Sequence, residues 1–127
     1  MNALFVYGSL RTGAGHPMHD RFRNGSQGAI DARVRGRLYV VDWYPGLVLD
    51  EAADWVEGQL WQGIEASLWP VLDAYEACGP DDPTPHEYVR TNTAVATAEG
   101  PIGAWVYAYV LPTTDLSFVT SGDWLER

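Results

Sequence analysis

The sequence predicts an α+β fold, a mixed, mostly antiparallel sheet curled into a partly closed barrel with a few short helices. Most segments show the two-residue alternation typical of strands, whereas residues 68–75 show helical spacing. Residues 102–111 alternate large aromatic with small side chains, which suits a curved sheet packed around its own interior. A chain of 127 residues is long enough for one core, so we expect a single domain over residues 1–127.

The first predicted element is a short buried strand, Ala3-Leu4-Phe5-Val6-Tyr7, which ends at Gly8-Ser9. Glycine permits a tight turn and the close approach of another molecule to the backbone. Successive N–H groups at such a turn can bind an anionic group, for example a carboxylate. A buried strand followed by an ordinary turn is the alternative interpretation.

A glycine-rich connection follows and leads into a short predicted helix over residues 16–23. Its glycines do not form a phosphate loop, because neither Gly-Lys-Ser nor Gly-Lys-Thr follows them. His16, His19 and Asp20 have helical spacing and side chains that can ligate a metal. Such a group without a supporting Cys or Glu-x-x-His pattern is more typical of a surface, so we predict no metal site.

Three strands are predicted next, over residues 29–40 with a bend at Gly36, over 47–49, and over 55–62. Tyr44-Pro45-Gly46 predicts a turn before the second of them. The period-two spacing places three guanidinium groups on one face of the first strand, which we expect to be solvated: Arg33, Arg35 and Arg37. Steering of an anionic ligand is the alternative role for this face.

A helix with one apolar face is predicted from the spacing of Leu68, Val71, Leu72 and Tyr75. Ser67 is a suitable N-cap, and Pro70 falls in the first turn, where proline is tolerated. Gly79-Pro80 is expected to stop the helix, and a loop rich in proline and aspartate extends to residue 87.

Two final strands are predicted over residues 88–97 and 102–111, joined by a hairpin loop at Glu99-Gly100-Pro101. The tail after Pro112 carries Leu116, Phe118 and Trp124, enough apolar surface to pack against the rest of the molecule.

Charge and composition exclude several classes of partner. Eight Lys and Arg against 17 Asp and Glu give a net charge of −9, which repels a phosphate backbone, so we predict no nucleic-acid partner. No apolar run is long enough to span a membrane, and no secretion signal is expected at the N-terminus. The one cysteine, Cys78, cannot form an internal disulfide, which fits a cytoplasmic protein.

Glu76 is the residue that we expect to carry acid/base chemistry. It lies four residues after Leu72, so it borders the apolar face of the predicted helix. Partial burial and the unpaired carbonyls of the last helical turn both raise a carboxylate pKa, in the direction that a general acid/base needs at neutral pH. A solvated glutamate at a frayed helix end is the alternative.

Ser9 and Cys78 are the candidate nucleophiles, and neither lies in a pattern that activates it. There is no Gly-x-Ser-x-Gly elbow, and His86 is the histidine nearest to Cys78 in sequence. Cys78 is therefore predicted to be a small packing residue, and a covalent mechanism is the weaker enzyme hypothesis.

Five short motifs together resemble the γ-glutamylcyclotransferase-like family, which includes the γ-glutamylamine cyclotransferases and the plant proteins induced by avirulence genes. In chain order they are Tyr7-Gly8-Ser9-Leu10, Tyr44-Pro45-Gly46, Leu72-Asp73-Ala74-Tyr75-Glu76, Tyr88-Val89-Arg90 and Gly122-Asp123-Trp124. The resemblance covers residues 4 to 124, and the first and third motifs are its most specific parts.

The resemblance implies a pocket where the first strand-to-loop turn meets the glutamate. It implies that backbone groups of Tyr7, Gly8, Ser9 and Leu10 hold a glutamyl moiety, that Glu76 is the acid/base, and that Tyr88 lines the same pocket. Arg90 is expected to support the structure. The implied reaction releases 5-oxoproline from a small γ-glutamyl amine or peptide and needs no cofactor.

The chain departs from the family pattern at Ala77, where members usually place glycine, and in the loop over residues 79–87. These departures keep open a second hypothesis, a binding module of the same fold without turnover. Hydrolysis through Ser9 or Cys78 is a third. Neither the leaving amine nor the oligomeric state is predicted.

Overall fold

A computed structural model describes residues 2–8 and 28–127. Several sequence predictions fall outside these ranges: the predicted helix over residues 16–23, the binding roles of Ser9 and Leu10, and the expected absence of a metal at His16, His19 and Asp20.

The described chain forms seven strands, one α-helix and two single-turn 3-10 helices. The strands are β1 (Leu4–Val6), β2 (Gly28–Val40), β3 (Pro45–Leu49), β4 (Trp55–Gln62), β5 (Tyr88–Thr97), β6 (Gly100–Tyr109) and β7 (Ser117–Phe118). The α-helix is α1 (Trp69–Tyr75), and the 3-10 helices span Ala66–Leu68 and Trp124–Glu126.

Five strands close into a barrel in the order β2-β4-β1-β6-β5, because β5 pairs back onto β2 where Arg33 meets Ala96. Strand β1 runs parallel to β6, with Leu4 opposite Trp105, and the other pairings in the barrel are antiparallel. The predicted fold class, a mixed and mostly antiparallel sheet curled into a barrel, is confirmed.

Strand β2 changes partner at the position of the expected bend. Residues up to Arg35 pair with β4, whereas Gly36 and the residues after it pair with β3. A Cβ atom at position 36 would lie 2.6 Å from the backbone oxygen of Val48, so only glycine fits this close approach of two strands. The first half of β2 therefore lies beside β4 in the barrel, and the second half lies beside β3.

Two apolar clusters form on the two faces of this sheet. Alternate residues of β6 divide between them, with Ala104 and Val106 in one cluster and Tyr107 and Tyr109 in the other. The second cluster also contains Leu72 of α1, so the helix covers this face of the sheet. The alternation predicted from the sequence of β6 thus reflects burial on both faces.

The helix ends earlier than the sequence predicts. Tyr75 is its last residue, Glu76 is the C-cap, and Ala77 adopts a left-handed backbone with φ of 55°. Ala77 N–H donates to Ala74 O at 3.1 Å and Cys78 N–H donates to Asp73 O at 2.9 Å, the two bonds of a Schellman motif. This motif ends the helix before Gly79-Pro80, so the predicted stop signal was placed too late.

Three further boundary predictions were wrong. Ser67 is not the N-cap, because a 3-10 turn precedes α1 and Leu68 takes the cap position without a side-chain hydrogen bond. Gly100 and Pro101 belong to β6, which starts and ends two residues before its predicted bounds. Pro45 and Gly46 are the first two residues of β3 and not part of the turn predicted there. The tail packs against the rest of the molecule as predicted, through Leu116, Val119 and Trp124, although Phe118 remains half exposed.

Candidate functional site

A cavity of about 250 Å³ opens where the end of β1, the turn before β3, the end of α1 and the start of β5 meet. Its lining is mostly aromatic and includes two carboxylates. The lining residues are Phe5, Val6, Tyr7, Gly8, Trp43, Tyr44, Pro45, Tyr75, Glu76, Ala77, Glu87, Tyr88 and Tyr107. A concave, largely apolar site with a few polar groups is typical of a small-molecule pocket.

Glu76 lines this cavity from the C-cap position of α1. Burial raises the pKa of its carboxyl to about 7, because the apolar surroundings disfavour the charged form. Desolvation is the cause of this shift, and the field of the helix end that the sequence suggested is not needed to explain it. A carboxyl group with this pKa exchanges a proton readily at neutral pH.

Tyr7 lines the cavity and is hydrogen-bonded to strands β3 and β6. Its hydroxyl donates to the backbone oxygen of Tyr107 at 2.6 Å and accepts from Leu47 N–H at 3.3 Å. Burial, and next the charge of Glu76, raise the pKa of Tyr7, so the phenol stays protonated. The neutral side chain of Tyr7 therefore connects the end of β1 to β3 and β6 through hydrogen bonds.

Tyr88 lines the cavity from the start of β5. Its hydroxyl donates to the backbone oxygen of Pro45 at 2.5 Å, which ties the start of β5 to the first residue of β3. Burial is the largest cause of its raised pKa, and the charges of Glu76 and Glu87 contribute in the same direction. The ring of Tyr88 therefore lies within the field of both carboxylates of the cavity.

Gly8 lets the backbone after β1 approach the start of β3. A Cβ atom at this position would lie 2.8 Å from Cγ of Pro45, closer than real Cβ contacts. Any larger residue would push Pro45, and with it the wall that Tyr88 holds, away from β1. The close contact with Pro45 therefore explains why the first motif has glycine at position 8.

A hydrogen bond between two side chains crosses the mouth of the cavity. The Tyr44 hydroxyl donates to Oε1 of Glu87, 43 positions later in the chain, at 2.8 Å. Burial and the carboxylate of Glu87 raise the pKa of Tyr44 to about 12. The neighbouring Trp43 contacts the Tyr44 ring edge-on, with 5.1 Å between ring centroids. These contacts give the mouth a fixed aromatic and acidic edge.

Behind the cavity, Asp73 of α1 binds two side chains of the sheet. Arg90 donates to it through Nε at 3.0 Å and Nη2 at 3.2 Å, and the Tyr107 hydroxyl donates at 2.7 Å. The guanidinium group of Arg90 also lies 4.8 Å from the ring centroids of both Trp69 and Trp105. This network holds α1, and therefore Glu76, against the sheet.

The structure brings Tyr7, Gly8, Glu76 and Tyr88 together in one cavity. The sequence did not single out Trp43 or Glu87 as lining residues. Their positions beside Tyr44-Pro45-Gly46 and directly before Tyr88 are the only sequence signals that could have indicated them.

The other candidate groups do not provide activated chemistry in the described part of the chain. Residues 2–8 and 28–127 contain no cluster of three metal-ligating side chains. Burial, followed by the charge of Asp73, raises the pKa of Cys78 to about 11, so its thiol stays protonated. Cys78 is half-buried and packs against the second apolar cluster, as a packing residue would. Among the described residues, no helix is both long and apolar enough to cross a membrane.

Known proteins share both the sequence pattern and the fold. The γ-glutamyl cyclotransferase, AIG2-like family model matches residues 4–126. The γ-glutamylcyclotransferase family protein YtfP of Citrobacter rodentium is 35% identical over 126 residues, covering 98% of this chain and 96% of its own. The Escherichia coli K12 protein of the same name is 33% identical over 125 residues, covering 98% and 96% of the two chains.

Solved structures extend the likeness to the fold. The solution structure of Escherichia coli YtfP has a TM-score of 0.66 at 31% identity, covering 98% of this chain and 97% of its own. A mouse AIG2-like protein has a TM-score of 0.65 at 24% identity, with 94% and 86% covered. YkqA of Bacillus subtilis has a TM-score of 0.73 at 22% identity, and this chain spans 40% of its length. By sequence over nearly its whole length and by fold, the chain belongs to the γ-glutamyl cyclotransferase, AIG2-like family.

Proposed function

We propose that the chain is a cofactor-free cyclotransferase that releases 5-oxoproline from a small γ-glutamyl amine or γ-glutamyl peptide, with Glu76 as the general acid/base. Family membership supports a cyclotransferase in general terms. One observation supports the assignment of Glu76. It lines the same cavity as Gly8 and Tyr88, and burial there raises the pKa of its carboxyl to about 7.

The substrate supplies its own nucleophile in this reaction. The α-amine nitrogen attacks the γ-carbonyl carbon, a new C–N bond closes a five-membered lactam, and the bond to the departing amine breaks. Holding the folded conformer supplies a large part of the rate, because the attack is intramolecular. No water, oxidant or activated nucleophile of the protein is consumed.

Glu76 would carry the proton through this sequence. Its carboxylate takes a proton from the attacking α-amine and returns one to the departing nitrogen, so the carboxylate is regenerated after each turnover. A pKa near 7 suits both transfers at neutral pH. Backbone N–H groups of Tyr7, Gly8, Ser9 and Leu10 would hold the glutamyl group, with Tyr88 as the facing wall, and the setting would be cytoplasmic.

The test is 5-oxoproline release from a panel of γ-glutamyl dipeptides and γ-glutamyl amines. Glu76→Gln keeps the size of the side chain and removes its acid/base function, so we expect release to fall by at least about 100-fold. Glu65→Gln, which changes an exposed glutamate next to the 3-10 turn, is the matched control and should retain full activity. Equal release by wild type and Glu76→Gln would overturn the role of Glu76.

A binding module without turnover is the second candidate, favoured by Ala77. The residue after Glu76 adopts φ of 55°, which is a glycine conformation, and an alanine there adds a methyl group to the cavity lining. This candidate predicts that γ-glutamyl compounds bind, as measured by calorimetry, and are recovered intact. Catalytic release of 5-oxoproline from any member of the panel would exclude it.

A further inference from the structure

A second cavity, of about 230 Å³, opens beside the end of α1. Side chains from the end of α1, the loop before β5, and strands β5 and β6 line it. They include Asp73, Cys78, His86, Tyr88, Arg90 and Trp105. Among the described residues, only Tyr88 lines both this cavity and the one that contains Glu76. The second cavity is therefore a separate candidate for a binding site.

Arg90 brings unused hydrogen-bond donors to this cavity. A guanidinium group has five N–H groups, and Arg90 uses Nε and Nη2 to bind Asp73. Among the residues that the structure describes, Nη1 has no hydrogen-bond partner. The Arg90 side chain is only 28% exposed, so water reaches its donors less freely than at a surface arginine. A ligand with an oxygen acceptor would satisfy them.

Contacts with three side chains fix the position of the Arg90 guanidinium group. It forms the two-point pair with Asp73, and it lies 4.8 Å from the ring centroids of both Trp69 and Trp105. A side chain that is already ordered loses less conformational entropy on binding a further acceptor than a free arginine would. Nη1 is therefore a preorganised donor for a planar oxygen acceptor.

The acidic groups near the second cavity are already engaged by hydrogen bonds. Asp73 accepts two from Arg90 and one from the Tyr107 hydroxyl. Asp82 accepts a backbone N–H at 2.9 Å through Oδ2. His86, whose Nε2 lies 3.4 Å from the backbone oxygen of Asp82, is a second lining side chain that can carry a positive charge. The groups that remain open in the lining are therefore donors, and they call for an acceptor.

We propose that the second cavity binds a small carboxylate with a short apolar body. The carboxylate accepts the free N–H groups of Arg90 in a charge-assisted hydrogen bond. Its apolar body contacts the rings of Tyr88 and Trp105. This site is distinct from the cavity of Glu76 and does not rest on the proposed function.

Two tryptophan side chains report on the two cavities separately, because Trp105 lines the second cavity and Trp43 lines the first. Their indole N–H resonances are assigned by NMR from their loss in Trp105→Phe and Trp43→Phe. Isobutyrate should shift the Trp105 resonance with half-saturation at about 1 mM, an affinity suited to a ligand of this size, and leave the Trp43 resonance in place. Isobutyramide, the neutral amide of the same shape, should bind at least about 10-fold more weakly.

Variants at two lining residues test the location of the bound carboxylate. Cys78→Met puts a bulkier side chain into the cavity and should weaken isobutyrate binding by about 10-fold or more. Cys78→Ser, of nearly native size, is the matched control and should keep the wild-type half-saturation. Arg90→Lys keeps the charge, loses the planar donors and should also weaken binding by about 10-fold. Arg127→Lys, at the arginine that stacks on Trp124, is its control.

The two resonances also define the results that would contradict the inference. A shift of the Trp43 resonance without one of Trp105 would place the carboxylate in the first cavity and overturn it. Equal half-saturation for isobutyrate and isobutyramide would do the same, as would an unshifted Trp105 resonance at about 50 mM isobutyrate. Weaker binding in Cys78→Met but not in Cys78→Ser would support the site even if Arg90→Lys failed to fold. None of these results depends on the release of 5-oxoproline, so the proposed function is tested separately.

Discussion

Asp73 and Arg90 form a two-point ion pair between α1 and β5, with Nε–Oδ1 at 3.0 Å and Nη2–Oδ2 at 3.2 Å. Their side chains are only 20% and 28% exposed, so solvent screens the pair less than it screens a surface ion pair. Asp73 lies three residues, about one helical turn, before Glu76. The pair therefore couples the sheet to the helix end that carries the proposed acid/base.

Breaking this pair should destabilise the protein and misplace Glu76. We expect Asp73→Asn to lower the free energy of unfolding by about 2–3 kcal/mol, because a charged hydrogen-bonding partner is lost by a partly buried guanidinium group. Urea unfolding measures this change. Asp50→Asn at the exposed Arg37–Asp50 pair is the matched control and should unfold like wild type. A similar urea midpoint for Asp73→Asn and wild type would contradict the structural role of the pair.

The raised pKa of Glu76 predicts that stability falls as pH rises. The carboxyl has a pKa of about 7 in the folded state against 4.5 as the ordinary value, so the unfolded chain releases this proton first. The stability cost is absent below about pH 4.5 and complete above about pH 7, where it reaches on the order of 3 kcal/mol. Urea unfolding at pH 5 and pH 8 should show this loss in wild type, beyond the loss in Glu76→Gln.

A direct titration tests the same property independently of activity. The carboxyl carbon of Glu76, assigned by its disappearance from the NMR spectrum of Glu76→Gln, should titrate with a pKa of about 7. A midpoint near 4.5 would show that the group is solvated, as the alternative interpretation of the sequence holds.

Ala77→Gly should stabilise the protein. Ala77 has φ of 55°, a region that costs a non-glycine residue roughly 1–2 kcal/mol, and glycine would remove this cost. Part of the gain is lost because glycine has more conformational freedom in the unfolded chain. We expect a net gain of about 1 kcal/mol in the free energy of unfolding. Ala74→Gly, at an exposed position inside α1, is the matched control and should lose about 1 kcal/mol. Loss of stability in both variants would mean that Ala77 is not in the left-handed conformation.

Tyr7→Phe should weaken the barrel because it removes a buried hydroxyl with two partners. The backbone oxygen of Tyr107 and the N–H of Leu47 would both lose a hydrogen bond, and we expect a loss of about 1–3 kcal/mol. The thermal midpoint measures it. Tyr39→Phe, at a half-buried ring that packs on Phe118, provides the comparison and should change the midpoint little. Equal shifts for the two variants would argue against the role of the Tyr7 hydroxyl.

Local patterns predicted the main elements of this fold well. The bounds of β4 and β5 agree with the sequence, because alternation and turn residues are local signals. The end of α1 was predicted less well, since a Schellman motif with Ala77 at its left-handed position has no glycine to mark it. The position of Glu76 beside the apolar face of the helix was enough to single it out. The other residues of the cavity are distant from it in sequence, so local patterns could not predict the cavity.

The sequence by itself determined the six longer strands to within a few residues, that one helix has an apolar face, and which family the motifs resemble, but it did not predict β7. The tertiary structure alone decided the closure of β5 onto β2, the burial that raises the pKa of Glu76, and the hydrogen bond between Tyr44 and Glu87 at the mouth of the cavity. The physical reason is separation along the chain. Tyr7 and Tyr107 lie 100 residues apart and share a 2.6 Å hydrogen bond, and contacts of this kind follow from how the whole sheet closes rather than from any local pattern.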